Sequence, residues 1–155
     1  MKTIVIVSDV LVSEQVNGVM VWLVNTKKEL EKQGFLVKVL DAQLFSRTFP
    51  LPGYPEIRLV LSSRKKVQNI LEDMNPDYIH IATEGTLGYL AREVCLKNNW
   101  AFTTSYHTRF PEYIFARTKM MRLQKLAYEY LEGLCKHLTK GGVYKTIANE
   151  LKEDY

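Results

Sequence analysis

Cysteine is scarce in this chain: Cys95 and Cys135 are the only two in 155 residues, and 40 positions separate them. They make no disulfide framework and no C-x-x-C pair of the metal-binding or redox kind, which points to a reducing compartment. No apolar run approaches the ~18 residues of a membrane span. The stretch Ile4-Val5-Ile6-Val7 behind Met1-Lys2-Thr3 is too short for the core of a signal peptide. Internal repeats, low-complexity tracts and Gly/Ser linkers are missing, so no internal domain boundary shows. Lys plus Arg 21 against Asp plus Glu 17 leaves a net charge of only +4. Neither that charge nor Arg64-Lys65-Lys66 comes with a helix-turn-helix or RNA-motif signature, so nucleic acid is not an expected partner. What is present is 46% hydrophobic and 25% charged, the balance of a globular domain with enough apolar material for a core. The expectation is a single domain over residues 1–155, cytoplasmic, or at most peripheral at the inner face of a membrane.

Several chemistries are excluded by missing motifs. There is no G-x-G-x-x-G fingerprint and no Walker A loop, which removes support for a nicotinamide dehydrogenase or a P-loop NTPase. No H-E-x-x-H, no cysteine–histidine cluster and no G-x-S-x-G elbow occurs, so neither a metal site nor serine hydrolysis is expected. A D-x-D pair, the usual holder of a divalent metal in nucleotide-sugar enzymes, is absent as well.

Strand-like and helix-like segments alternate along the chain. Ile4 to Val7 is a continuous β-branched run, the pattern of a strand buried on both faces. A helix follows over residues 18–33, with Val19, Leu23 and Leu30 at helical spacing and Gly34 as its left-handed stop. Phe35 to Leu40 is a second strand. Residues 42–55 hold Pro50, Pro52, Gly53 and Pro55 and are expected to be loop. Ile57 to Leu61 is a third strand, and Ser63 caps a helix that carries Val67, Ile70, Leu71 and Met74 on one face. Asn75-Pro76-Asp77 ends that helix before a fourth strand at 78–82. A helix at 86–98 and a fifth strand at 100–104 follow. Downstream, the pattern predicts a long helix after Pro111, a short strand at 142–146 and the first turns of another helix. This alternation implies parallel pairing and a doubly wound α/β, Rossmann-like sheet. In such sheets ligands bind outside the carboxyl ends of the strands.

Three loops stand at those ends: 9–17, 83–85 and 105–109. Gly18 at a helix start either lets backbone N–H groups meet an anion or merely makes a tight turn. His107 either hydrogen-bonds a substrate hydroxyl near the reacting centre or ties its own loop together. His80, inside a strand, reads as a structural histidine, and His137 as a helix-end residue. Glu84 either orients a sugar hydroxyl, balances Arg109 or serves as the N-cap or first-turn acid of the helix at 86–98. Asp9 either faces the crevice or caps a turn, and the turn is the expected reading.

A resemblance then emerges from several blocks in fixed order. These are Gln15-Val16-Asn17-Gly18-Val19, the run 50–58 from Pro50 to Arg58, His80-Ile81-Ala82-Thr83-Glu84-Gly85 with Leu87-Gly88, and the run 103–113 around Ser105-Tyr106-His107-Thr108-Arg109. Together they resemble the N-terminal, acceptor-side half of a glycosyltransferase family 4 enzyme of GT-B fold. The likeness is greatest to the GDP-mannose-dependent α-mannosyltransferase type, with sulfoquinovosyl and glucosyl lipid transferases nearby.

The resemblance implies retaining, metal-independent transfer of a mannose- or glucose-type hexose to a lipid or glycan acceptor. No cofactor is needed beyond a nucleotide sugar as co-substrate. By the same resemblance Asn17 and Gly18 lie against the donor diphosphate, His107 is the catalytic residue beside the sugar, and Thr83, Glu84, Tyr106 and Arg109 bind acceptor or sugar. The family's second, nucleotide-gripping domain has no counterpart in these residues. The expectation is therefore half a catalytic unit, inactive alone, and the other possibility is a non-catalytic interaction module of the same shape. Val10-Leu11-Val12-Ser13 departs from relatives that carry an aromatic and prolines there. The window from Arg109 to Lys125 holds five basic residues and one acid, interleaved with Phe110, Phe115 and Met120. That combination is expected to lie either at a membrane surface or on a solvated helix.

Overall fold

A computed structural model describes residues 1–10, 18–51 and 54–105, without the side chains of residues 51 and 54–57. All of them fall in the compact unit Met1–His107. The expected helix after Pro111, the strand at 142–146 and the terminal helix lie outside the described residues.

The elements follow the alternation read from the sequence, with one departure. Strand β1 (Thr3–Val7) is followed by α1 (Gly18–Lys32) and then β2 (Leu36–Leu40). After the hairpin strands β3 (Thr48–Leu51) and β4 (Tyr54–Val60) come α2 (Arg64–Met74), β5 (Tyr78–Ile81), α3 (Thr86–Lys97) and β6 (Phe102–Thr104). Four strands form a parallel sheet in the order β2-β1-β5-β6. The chain builds outward from β1 to β2 and then returns to the other side of β1. The carboxyl ends of β1 and β5 therefore flank the point where the winding reverses.

Alternate residues of β1 serve opposite faces, as period-two geometry requires. Val5 and Val7 join Ile79, Ile81, Val67, Leu71, Leu87, Ala91 and Val94 in a core under α2 and α3. Ile6 joins Leu23, Val37 and Ala82 under α1. Helices thus cover both faces, and the doubly wound α/β sheet is the observed architecture. Helix ends sit where their caps place them. Gly34, at φ +87°, adopts the left-handed conformation that stops α1, and the N–H of Phe35 closes the turn onto the Leu30 carbonyl at 3.1 Å. The Ser63 hydroxyl accepts from the Lys66 N–H at 3.2 Å at the start of α2.

The departure is at 42–55, which is not loop throughout. A short 3-10 turn spans Ala42–Leu44, capped by Asp41, and β3 pairs antiparallel with β4. The strand expected at 57–61 accordingly runs over Tyr54–Val60 and belongs to a separate two-stranded ribbon, not to the parallel sheet. Pro50 is in register with Arg58, whose N–H points away from the ribbon to the Asp9 carbonyl, so the pair is of the non-hydrogen-bonded kind and a missing N–H costs no ladder bond. The backbone N–H of Arg58 reaches the Asp9 carbonyl at 3.0 Å and the Val60 N–H reaches the Thr86 hydroxyl at 2.7 Å. The ribbon is thereby tied to the β1 loop and the start of α3. Among the described residues no helix is long and apolar enough to cross a membrane.

Candidate active site

The crevice at the reversal point is organised by a carboxylate. Asp9, two residues past β1, is fully buried. Its Oδ1 accepts from the Leu87 N–H at 2.7 Å, and its Oδ2 from the Gly88 N–H at 3.1 Å and the Thr83 hydroxyl at 2.8 Å. The Thr83 oxygen in turn accepts from the Asp9 N–H at 2.7 Å. Gly85, the residue before α3, offers no side-chain cap of its own. Asp9 reaches across from the neighbouring strand to do that work, and its negative charge complements the positive end of the α3 dipole. This corrects the expectation that Asp9 caps its own turn. Ser8 does so instead, its hydroxyl accepting from the Val10 N–H at 3.1 Å.

Two glycines make the approach possible. A Cβ on Gly85 would overlap the Asp9 carboxylate, and one on Gly88 would overlap the carbonyl oxygen of Thr83. Burial pushes the Asp9 carboxyl above its ordinary range, against the pull of its hydrogen bonds from Leu87, Thr83, Gly88 and Gly85. Both oxygens of Asp9, one member of a local carboxyl pair, accept from N–H and O–H donors, which opposes that rise.

Glu84 is the other member. It is not the cap of α3; Asp9 holds that place. Its Oε1 is buried without a hydrogen-bond partner among the described residues. Burial first, then the nearby charge of Asp9, push its carboxyl up to about 8. Glu84 therefore carries a proton at neutral pH, and a protonated carboxyl donates as well as accepts.

Thr83 and Glu84 stand beside Asp9 after β5, and the Thr83 hydroxyl is spent on Asp9. Gly18 opens α1. Trp22, one turn along, packs its ring 5.5 Å from that of His80 in β5, which puts the start of α1 toward the carboxyl rim. Among the described residues nothing lies within 4 Å of where a Cβ at Gly18 would stand. Asn17, Tyr106, His107 and Arg109 lie outside the described residues. Their neighbour Ser105 is on the same rim, its N–H bonded to the Ile81 carbonyl at 3.1 Å.

His80 is structural, and its structure serves the site. One ring nitrogen meets the Thr103 hydroxyl at 2.8 Å and the other the Ser105 hydroxyl at 2.6 Å. It therefore ties β5 to β6 and to the residue that opens the His107 loop. Among the described residues no group of three His, Cys, Asp or Glu side chains is disposed to hold a metal ion. Sequence reasoning missed the part played by Asp9. The signal was present in Thr83-Glu84-Gly85 and Gly88, small residues at spacings that leave room for a side chain from elsewhere.

A doubly wound sheet with a helix start and a buried carboxyl pair at its reversal point defines a ligand-binding α/β domain. The chain belongs to glycosyltransferase family 4, whose model matches residues 16–140. It is similar to an α-monoglucosyldiacylglycerol synthase of Streptococcus pneumoniae, 26% identical over 154 residues that cover 91% of this chain and 35% of that protein. It is also similar to the sulfoquinovosyl transferase SQD2 of Arabidopsis thaliana, 30% identical over 69 residues, covering 44% of this chain and 14% of that protein. The chain thus spans about a third of the length of the first relative. No solved structure matches it.

Proposed function

We propose that the chain is the acceptor-side half of a retaining, metal-independent hexosyltransferase that moves a sugar from a nucleotide sugar to a lipid acceptor. The observation that carries this reading is the division of labour between two helix starts on one rim. Asp9 occupies the N–H groups of Leu87 and Gly88 at the start of α3, whereas α1 begins at a glycine beside which no described residue comes within 4 Å of a Cβ. A helix start without a competing side chain suits a departing diphosphate and needs no cation to do so. Asn17 and Gly18 are assigned to the donor diphosphate and His107 to the transferred sugar. Thr83, Glu84, Tyr106 and Arg109 are assigned to the acceptor or sugar. Glu84, proton-bearing, serves as a hydrogen-bond donor to a hydroxyl.

The glucosyl-lipid and sulfoquinovosyl relatives favour a glucose-type donor over the mannose type. Cleaving the donor requires a second, nucleotide-gripping domain, so these 155 residues alone are inactive. The basic, apolar stretch over 109–125 is assigned to a membrane surface at the cytoplasmic face, where a diacylglycerol-type acceptor resides. Co-sedimentation with vesicles should rise with anionic lipid and be lost when Arg117, Lys119 and Arg122 are replaced by Gln. The activity test uses radiolabelled UDP-glucose or GDP-mannose with diacylglycerol in mixed micelles. Transfer is expected only when a C-terminal family 4 domain is supplied, and faster with UDP-glucose. Robust turnover by the chain alone would refute the half-site reading, and a preference for GDP-mannose would restore the mannose assignment.

A further inference from the structure

Away from the β1–β5 crevice, the links that flank the hairpin enclose a groove of about 570 Å³, within the ~300–1,000 Å³ typical of small-ligand clefts. One wall is Phe45, Ser46 and Arg47, leading into β3; the other is Leu61, Ser62 and Ser63, leading into α2, with Lys66 from its first turn. The Leu61 N–H bonds to the Arg47 carbonyl at 2.9 Å, which fixes the two walls relative to each other. The lining is chemically one-sided: two cations, three hydroxyls and no carboxylate. Lys66 holds its ammonium 5.4 Å from the centre of the Phe45 ring, and among the described residues neither Lys66 nor Arg47 is in an ion pair. The nearest ion pair on this helix belongs to Arg64, with Glu93 at 3.5 Å.

Two further features point to an anionic occupant. At the start of α2 the Ser63 hydroxyl satisfies the Lys66 N–H, which leaves the N–H groups of the first two helical residues to face the solvent end of the dipole. The Ser62 hydroxyl oxygen is buried and has no hydrogen-bond partner among the described residues. An orphaned hydroxyl is costly, and a single χ1 rotation turns a serine toward an acceptor placed beside it. We propose that this groove is a phosphate site, in which Arg47 and Lys66 supply charge, Ser62 and the α2 start supply hydrogen bonds, and Phe45 and Leu61 contact the apolar part of a phosphoester. The site is separate from the sugar crevice and does not depend on the transferase reading.

The test titrates inorganic phosphate into the full chain and follows backbone amide resonances, with chloride at matched ionic strength as the control. Saturable shifts are expected at Arg47, Ser62 and Lys66. The double variant Arg47→Gln, Lys66→Gln should lose at least about tenfold in affinity. Ser62→Ala should weaken phosphate severalfold while leaving thermal stability unchanged or raised, since it removes a hydroxyl that satisfies nothing in the free chain. Glu84→Gln and Gly18→Ala, whatever they do at the crevice, should leave the shifts of Arg47, Ser62 and Lys66 unchanged, which separates this site from any failure of the crevice assignment. Vesicles of phosphatidylcholine with and without phosphatidic acid then identify the source. Co-sedimentation that needs phosphatidic acid, is competed by free phosphate and falls in the Arg47→Gln, Lys66→Gln variant assigns a lipid headgroup; phosphate saturation with co-sedimentation unaltered by that variant assigns a soluble phosphoester. Shifts that fail to saturate, or that survive in the Arg47→Gln, Lys66→Gln variant, overturn the proposal.

Discussion

At the scale of single residues, the account rests on two buried carboxyls, Asp9 with both oxygens hydrogen-bonded and Glu84 with an oxygen that has no partner among the described residues. Glu84 titrates near 4.5 when unfolded and is held up to about 8 when folded. Between those values the unfolded chain sheds a proton that the folded chain keeps. Its contribution to stability is therefore full below about 4.5 and is lost as the pH rises through about 8. Glu84→Gln removes this loss, so urea unfolding of the variant should show a flatter pH dependence across that window. Each pKa unit is worth ~1.4 kcal/mol, and a difference of at least that size is expected at the alkaline end. Asp9→Ala does the reverse, because it strands the Leu87 and Gly88 N–H groups and the Thr83 hydroxyl. At about 1–3 kcal/mol for each buried group left unpaired, a loss of roughly 3 kcal/mol or more is expected in the same assay. The sequence exposed Thr83 and Glu84 as crevice residues by their place after an apolar strand. It left Asp9 between the crevice and a turn, because its donors, Leu87 and Gly88, lie 78 and 79 positions away.

At the scale of elements, helices were readable wherever an apolar stripe met a recognisable end. Val67, Ile70, Leu71 and Met74 behind Ser63 gave α2 to within a residue, and Gly34 marked the end of α1 through its backbone conformation. The hairpin was not readable, since Pro50, Pro52, Gly53 and Pro55 dominate its composition. A ribbon edge accommodates proline in a way that a central strand does not. Glycines separate the two helix starts experimentally. Gly88→Ala and Gly85→Ala force a methyl into the Thr83 carbonyl and the Asp9 carboxylate, so each should lower stability by about 1–3 kcal/mol in thermal unfolding. Gly18→Ala should unfold at the temperature of the parent and reveal its effect only in anion binding. The bridge made by His80 has its own readout. His80→Ala should speed hydrogen exchange of the Ser105 amide by about tenfold while amides of β1 stay protected. Equal acceleration in both strands would mean that His80 stabilises the whole sheet and not the loop that leads to His107.

At the scale of the whole molecule, the reversal of winding between β1 and β5 assembles a site from segments far apart in the chain. That topology followed from the alternation of strands and helices, because parallel pairing of this kind has few allowed orders. What it could not convey is which loop groups are already satisfied by the fold and which remain for a ligand; that division depends on side-chain contacts across the crevice. The central claim is that Gly18, Thr83 and His107 bound one sugar-nucleotide cleft. Its most direct test is a titration of the isotopically labelled chain with UDP-glucose at millimolar concentration, followed by backbone amide resonances. The account predicts concerted shifts at Gly18, Glu84, Ser105 and His107, with Thr3 and Asp77 at the amino end of the sheet unmoved. Shifts confined to the amino end, or none at the carboxyl rim, would contradict it.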